Sequence, residues 1–340
     1  MSTILTGIRS NDTLHLGIYL GAIKAMVDKS NNLDSDDKMF FFLPDLHSFT
    51  TPIDHESLYD RTIDNVRMYL AAGLQFGDDV LIYRQSQVQA HSEMAWILSC
   101  FTYYGEANRM VEFKDKSEQL GHKGVSVGLL NYPILMAGDI LLYGADYIPV
   151  GEDQRQHLEL TRTLADRLNN KFDLDLATPK STDDQQKYFE REQAIRIRSL
   201  TNPQKKMSKS VEDEKGKIEL TDDPKVAAKK IMSAETDSVG KINYDFDTQP
   251  GISNLLQIEA YLTDRKISEV VQEWQDKEQY GDLKKKVAAT VESFLTDFQT
   301  KYNQIDDDKV MKVLEAGEEQ ANKIANKTLL KVQKAVGLRK

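Results

Sequence analysis

The run Lys205-Lys206-Met207-Ser208-Lys209-Ser210, just past Pro203, sets three lysines and two hydroxyls side by side in a chain of formal net charge −10. By residue type alone such a run is either a solvated loop or a cationic site for an anion. A second group stands in Thr13-Leu-His-Leu-Gly-Ile-Tyr, where His15 and Gly17 open a helix. A helix N-terminus presents unpaired N–H groups and the positive end of the dipole, which suits phosphate, and glycine permits close backbone approach. A histidine there is equally an ordinary polar surface residue. The third group is an acid in an apolar stripe: Tyr132, Met136, Asp139 and Tyr143 recur at steps of four, three and four, one face of a helix with Asn131 and Pro133 near its start. Buried carboxylates are rare unless paired, so Asp139 is either a satisfied structural acid or an acceptor inside a pocket.

The elements that must position these residues alternate. Ile4 to Ile8 reads as a buried strand, and Leu16, Leu20, Ile23 and Val27 follow with helical spacing. The pattern repeats in MFFFL at 39–43, stopped by Pro44; in VLIY at 80–83, stopped by Arg84 and Gln85; and in YIPV at 147–150, stopped by Gly151. Strands alternating with helices predict an α/β protein with a mainly parallel sheet covered on both faces and ligands at the carboxyl ends of the strands. Asp45 and His47 after the second strand, and Gly151, Asp153 and Gln154 before a helix starting near Arg155, are therefore places to seek chemistry. The polar stretch 173–192 reads as a surface connection. From about Asp222 the strand signal vanishes: Pro250-Gly251 turns the chain ahead of a helix near Ser253 or Asn254, and Val287, Val291, Phe294, Phe298 and Tyr302 mark another helix.

Bulk properties narrow the class. With 340 residues and 40% hydrophobic composition the chain can fill the core of one large domain and a smaller one. No signal peptide or apolar run long enough to span a membrane is visible, and Cys100 is the single cysteine, which excludes a disulfide framework and fits a reducing cytosol. The acidic balance argues against nucleic-acid binding by bulk charge but leaves room for local basic stripes, at 284–286 and 323–340. His91-Ser92-Glu93 is half of a zinc deaminase signature, and the Pro-Cys-x-x-Cys half is missing.

Taken together, His15-Leu16-Gly17 and Lys206-Met207-Ser208-Lys209-Ser210 resemble the two signatures of class I aminoacyl-tRNA synthetases. Thr6-Gly7-Ile8, YLGAI at 19–23, PVGEDQRQHLELTR at 149–162 and PGISNLL at 250–256 are similar to the tryptophanyl-tRNA synthetase family, over essentially the whole chain. The resemblance implies a Rossmann-like catalytic domain at 1–200 with a dimer-interface insertion at about 60–130. It further implies the KMSKS loop at 201–215, a helical anticodon-binding domain at 216–300, and a C-terminal helix at 301–340 that packs back on the catalytic domain.

It also implies roles. Lys206, Ser208 and Lys209 close over the ATP phosphates with Mg²⁺, Lys116 reaches the same phosphates, and His15 acts beside them. Arg9, Gly17, Ile18, Met207, Gly151, Asp153 and Gln154 complete the ATP site, the last three on its ribose and adenine side. Asp139 accepts the indole N–H of tryptophan, Tyr132 and Gln154 hold its ammonium group, Met136 and Val150 pack on its ring, and Leu5, Gly7, His47 and Ile140 complete the pocket. The partners implied are tryptophan, ATP, tRNA(Trp) and a second copy of the chain. Three positions depart from the family pattern: Ile18 stands for a histidine or asparagine, Arg9 for a glutamine, and Ser10-Asn11-Asp12 for a Pro-Ser-Gly or Pro-Thr-Gly turn. Arg9 is expected to contribute to substrate binding. Two other readings compete: a tyrosyl enzyme, disfavoured by Asp139 together with GEDQRQH, and a non-catalytic tryptophan or adenylate sensor, kept open by Ile18 and opposed by the intact KMSKS.

Overall fold

A computed structural model describes residues 2–7, 14–121, 124–151, 154–189, 195–208 and 213–340. Three parallel strands, β1 (Thr3–Gly7), β2 (Lys38–Leu43) and β3 (Val80–Arg84), form a sheet in that order, with Thr3 beside Lys38 and Met39 beside Val80. Their near-continuous apolar sequences follow from burial on both faces. Alternate side chains enter two different cores: Ile4, Met39, Phe41 and Ile82 on one face, Leu5, Phe40, Phe42, Leu81 and Tyr83 on the other.

The first core is closed by α1 (Leu16–Ile18), which runs through a π-turn at Tyr19–Ile23 into α2 (Lys24–Asn31), and, after the short α3 (Asp45–Ser48), by α4 (Leu58–Ala71). The second is closed mainly by α5 (Ala90–Cys100), α8 (Val127–Tyr143) and α9 (Arg155–Phe172); α6 (Tyr104–Ala107) and α7 (Val111–Leu120) lie between, and α10 (Thr182–Tyr188) follows. Past residue 213 come α11 (Pro224–Met232), α12 (Pro250–Leu262), α13 (Ile267–Trp274), α14 (Tyr280–Asn303) and α15 (Asp307–Ala335).

α15 belongs to both cores. Val310, Val313 and Leu314 pack into the first, and Ala321, Ala325, Leu329 and Val332 into the second. It crosses at β3, where a Cβ on Gly317 would lie 2.0 Å from the Ile82 carbonyl oxygen and Glu318 grips Arg84 with both carboxylate oxygens, at 2.6 and 3.1 Å. Only a residue without a side chain lets the helix approach that closely.

Four local expectations need correction. Residues 147–150 make one parallel bridge, Ile4 to Tyr147, and not a strand. Pro149 has no N–H to extend a ladder, and the N–H of Ile148 goes instead to the Gln185 side chain at 2.8 Å. That glutamine lies in α10, inside the stretch expected to be a surface connection, and Tyr188 of the same helix stacks on Tyr147 with ring centres 3.6 Å apart. α8 starts at Val127, capped by the Ser126 hydroxyl on the Leu129 N–H, so Pro133 lies within the helix and not at its start. α12 begins at Pro250 itself, because proline at a first helical position lacks only an N–H that would have had no helical partner.

Candidate active site

The carboxyl end of β1 and the segment after Tyr147 diverge, and a cleft of about 600 Å³ opens between them. This is where an open α/β sheet places its ligands. Leu5, Thr6 and Gly7 form its floor; a Cβ on Gly7 would lie 2.7 Å from the Phe42 carbonyl oxygen, so glycine keeps the strand ends together. Ile18, His47, Tyr132, Met136, Asp139, Ile140, Val150, Gly151, Gln154 and Lys206 line the rest. Arg9, Asp153 and Lys209 lie outside the described residues, as do Ser10, Asn11 and Asp12.

Asp139 is a satisfied, fully buried acid that also lies against the cleft. Oδ2 receives His47 Nε2 at 2.8 Å; Oδ1 receives Gln85 Nε2 at 2.8 Å and His91 Nδ1 at 2.6 Å. Burial pushes the carboxyl pKa up, but the hydrogen bonds donated by His47 and His91 outweigh it and hold it at about 2, below the usual 3.8. A carboxylate accepts at about four positions, so three donors leave room for one more from the cleft.

On the opposite wall, His157 joins two expected ligands. Its Nδ1 lies 2.6 Å from Gln154 Oε1 and its Nε2 3.1 Å from the Tyr132 hydroxyl. An amide oxygen can only accept, so Nδ1 carries the proton; in the neutral ring Nε2 then accepts the Tyr132 proton. Lys116 is held 2.9 Å from Glu112, with its ammonium 4.8 Å from the centre of the Tyr132 ring, at the flank of the cleft and not in its lining.

The two signature segments meet. His15 is buried and caps α1, its Nδ1 accepting the Ile18 N–H at 3.3 Å. Gly17 faces Met207: a Cβ there would sit 3.2 Å from the Met207 Cβ and 3.0 Å from His15 Nδ1. Met207 is fully buried and its N–H donates to the Ile197 carbonyl at 3.0 Å, while Lys206 is exposed on the cleft side. Leu16 and Leu220 pair with Ile218 and Leu14 across the same junction, at 2.8 and 3.1 Å. Met207 is thus an anchor of the loop, and the lysine beside it faces the cleft; Ser208 is partly exposed.

Three residues that complete this site escaped the sequence reading: Gln85, His91 and His157. From sequence, Gln85 reads only as a strand stop and His91 only as part of the incomplete zinc signature. The basic run at 284–286 is less open than expected, since Lys284 donates to the Ala234 carbonyl at 2.7 Å, Lys285 pairs with Asp282 at 3.2 Å and Lys286 lies 3.7 Å from the buried Glu259.

The chain is similar to known proteins in sequence and in fold. The family model described as tRNA synthetases class I (W and Y) matches residues 1–296. A tryptophan–tRNA ligase of Corynebacterium glutamicum is 44% identical over 339 residues, 99% of this chain and 94% of that protein. The crystal structure of tryptophanyl-tRNA synthetase from Mycoplasma pneumoniae superposes with a TM-score of 0.81 at 36% identity, covering 100% of this chain and 99% of that one. The Campylobacter jejuni enzyme, solved with ADP and tryptophan, gives 0.78 at 29% identity, covering 98% and 99%. With a cleft at the carboxyl end of β1, the two signature segments joined beside it and similarity along the full length, this chain belongs to the class I tRNA synthetases, in the tryptophan–tRNA ligase family.

Proposed function

We propose that the cleft activates L-tryptophan with ATP and that the chain then transfers the tryptophanyl group to tRNA(Trp). The observation that carries this is Asp139, an ionised acceptor that borders the cleft beside the apolar side chains of Met136, Ile140 and Val150. A ring N–H satisfies its open position, whereas a ring without one leaves the buried carboxylate short of a donor. The acceptor oxygens of Tyr132 and Gln154 take the ammonium group, and Leu5, Gly7 and His47 close the pocket around the ring. A tryptophan carboxylate oxygen attacks the α-phosphorus of ATP; its bond to the pyrophosphate oxygen breaks and pyrophosphate departs with the electron pair. Lys206, with Ser208, Lys209 and Lys116, neutralises that leaving charge, and His15 and Gly17 hold the nucleotide at the start of α1. Gly151, Asp153, Gln154, Ile18, Met207 and Arg9 complete the nucleotide side.

Mg²⁺ enters as the ATP complex. The ATP phosphates would supply its ligands. Residues 1–200 form the catalytic domain, 201–215 the KMSKS loop, and 216–300 read the anticodon, with the helix of 301–340 returning to the catalytic domain. The chain works as a homodimer in the cytoplasm. Support for the dimer comes from Trp96, Tyr104 and Val127, each more than 70% exposed within the 60–130 region; among the described residues no helix is long and apolar enough to cross a membrane.

The test is tryptophan-dependent ATP–pyrophosphate exchange, with tyrosine and no amino acid as controls. Exchange with tryptophan alone is expected. Tryptophan binding without exchange would make the chain a sensor, with Ile18 the first position to restore.

A further inference from the structure

His91 lies outside the cleft lining, and activation as derived above does not use it. It is fully buried, on α5, with its ring nearly parallel to that of Phe42 at 12° and 6.3 Å between centres; Phe42 in turn lines the cleft. Each nitrogen has one partner: Nδ1 lies 2.6 Å from Asp139 Oδ1 and Nε2 lies 3.0 Å from the Tyr143 hydroxyl. Asp139 is an ionised acceptor, so Nδ1 must carry the proton; Nε2 of the neutral ring then accepts from Tyr143. A hydroxyl, an imidazole and a carboxylate thus form a donor chain that runs one way and ends at the cleft. Gln85 adds a second donor to the same oxygen, at 2.8 Å. Both occupy Oδ1, while Oδ2 receives only His47, itself a cleft residue. The carboxylate plane is fixed from behind, and its remaining acceptor position belongs to the oxygen on the cleft side.

We infer that His91, with its tautomer set by Tyr143, is a positioning residue for side-chain specificity: it fixes the rotation of Asp139 so that one acceptor position is aimed at a heteroaromatic ring N–H. The inference rests on the reading of Asp139 as the acceptor for that N–H. His91 touches no substrate, and its effect is on which ring is accepted, not on how fast the phosphoryl bond breaks.

The test uses the full-length chain and two amino acids, tryptophan and its benzothienyl analogue, in which sulfur replaces the ring N–H. The quantity read is the ratio of their kcat/KM values in pyrophosphate exchange, with KM for ATP measured alongside. Two amides separate position from polarity, because an asparagine Nδ2 lies where His91 Nδ1 now donates, whereas the amide of glutamine reaches past it toward Tyr143. His91→Gln is expected to lower the ratio about tenfold, chiefly through KM for tryptophan, with KM for ATP unchanged. His91→Asn is expected to restore most of it. Equal losses with both amino acids, or the same ratio in both amide variants, would overturn the inference and make His91 a packing residue. Asp139→Asn serves as the reference: if it changes the ratio and His91→Gln does not, His91 has no positioning role and the Asp139 reading stands. If Asp139→Asn leaves the ratio unchanged, the Asp139 reading fails, and the inference with it.

Discussion

Asp139 and Lys206 were legible in the sequence because each breaks a local rule: an acid within an apolar stripe, and a cationic run in an acidic chain. Gln85, His91 and His157 break none. Gln85 and His91 meet Asp139 from 54 and 48 residues away and His157 meets Tyr132 from 25, distances no spacing rule reaches; only the His157 bond to Gln154 is local. Two expectations belong at this scale. The Lys206 side chain is exposed while the backbone on either side of it is held, Lys205 by Ser199 and Met207 by Ile197, so Lys206→Ala should lower the exchange rate about a hundredfold or more while leaving the melting temperature unchanged. Steady-state kinetics beside a thermal scan check both halves. Asp139 ties the site to acid stability. Its folded pKa, about 2, is below the ordinary 3.8, so the stabilisation is complete above 3.8 and is lost as pH falls toward about 2. Chemical denaturation in that window should show wild type losing stability with falling pH more steeply than Asp139→Asn.

At the scale of elements, β1, β2 and β3 were readable because buried parallel strands are short apolar runs ended by polar residues. YIPV has the same texture, yet one proline reduces it to a single bridge, and the missing ladder is replaced by a glutamine side chain from a helix that looked like a polar connection. Packing, which sequence texture does not carry, decides such cases. α15 gives two testable consequences. Gly317→Ala forces a methyl group into the Ile82 carbonyl and should cost about 3 kcal/mol in urea unfolding, since backbone on both sides must shift. Arg84 and Glu318 are a largely buried pair, so Arg84→Met should cost about 3 kcal/mol by stranding the carboxylate, and Arg84→Met with Glu318→Leu should recover much of it. A double-mutant cycle measures the coupling.

The whole molecule is two cores separated by one sheet, with a single long helix contributing to both. Composition gave no sign of this, because the heptad-like face of α15 reads the same whether it serves one core or two. The exposed aromatic side chains of α5 and α6 set the expectation at this scale: Trp96→Glu should shift the sedimenting species from dimer to monomer, with the secondary-structure spectrum unchanged. The crossing of α15 over β3 also bears on how the chain is made. The Ile82 carbonyl and the Arg84 N–H, groups of the outermost strand, face Gly317 and Glu318, and the segment that covers them is translated 234 residues after Arg84. During synthesis the sheet-bearing half therefore carries an open strand edge, a template for pairing with other chains, until α15 leaves the ribosome. Nascent chains stalled before residue 307 should bind chaperones that chains released after residue 335 do not.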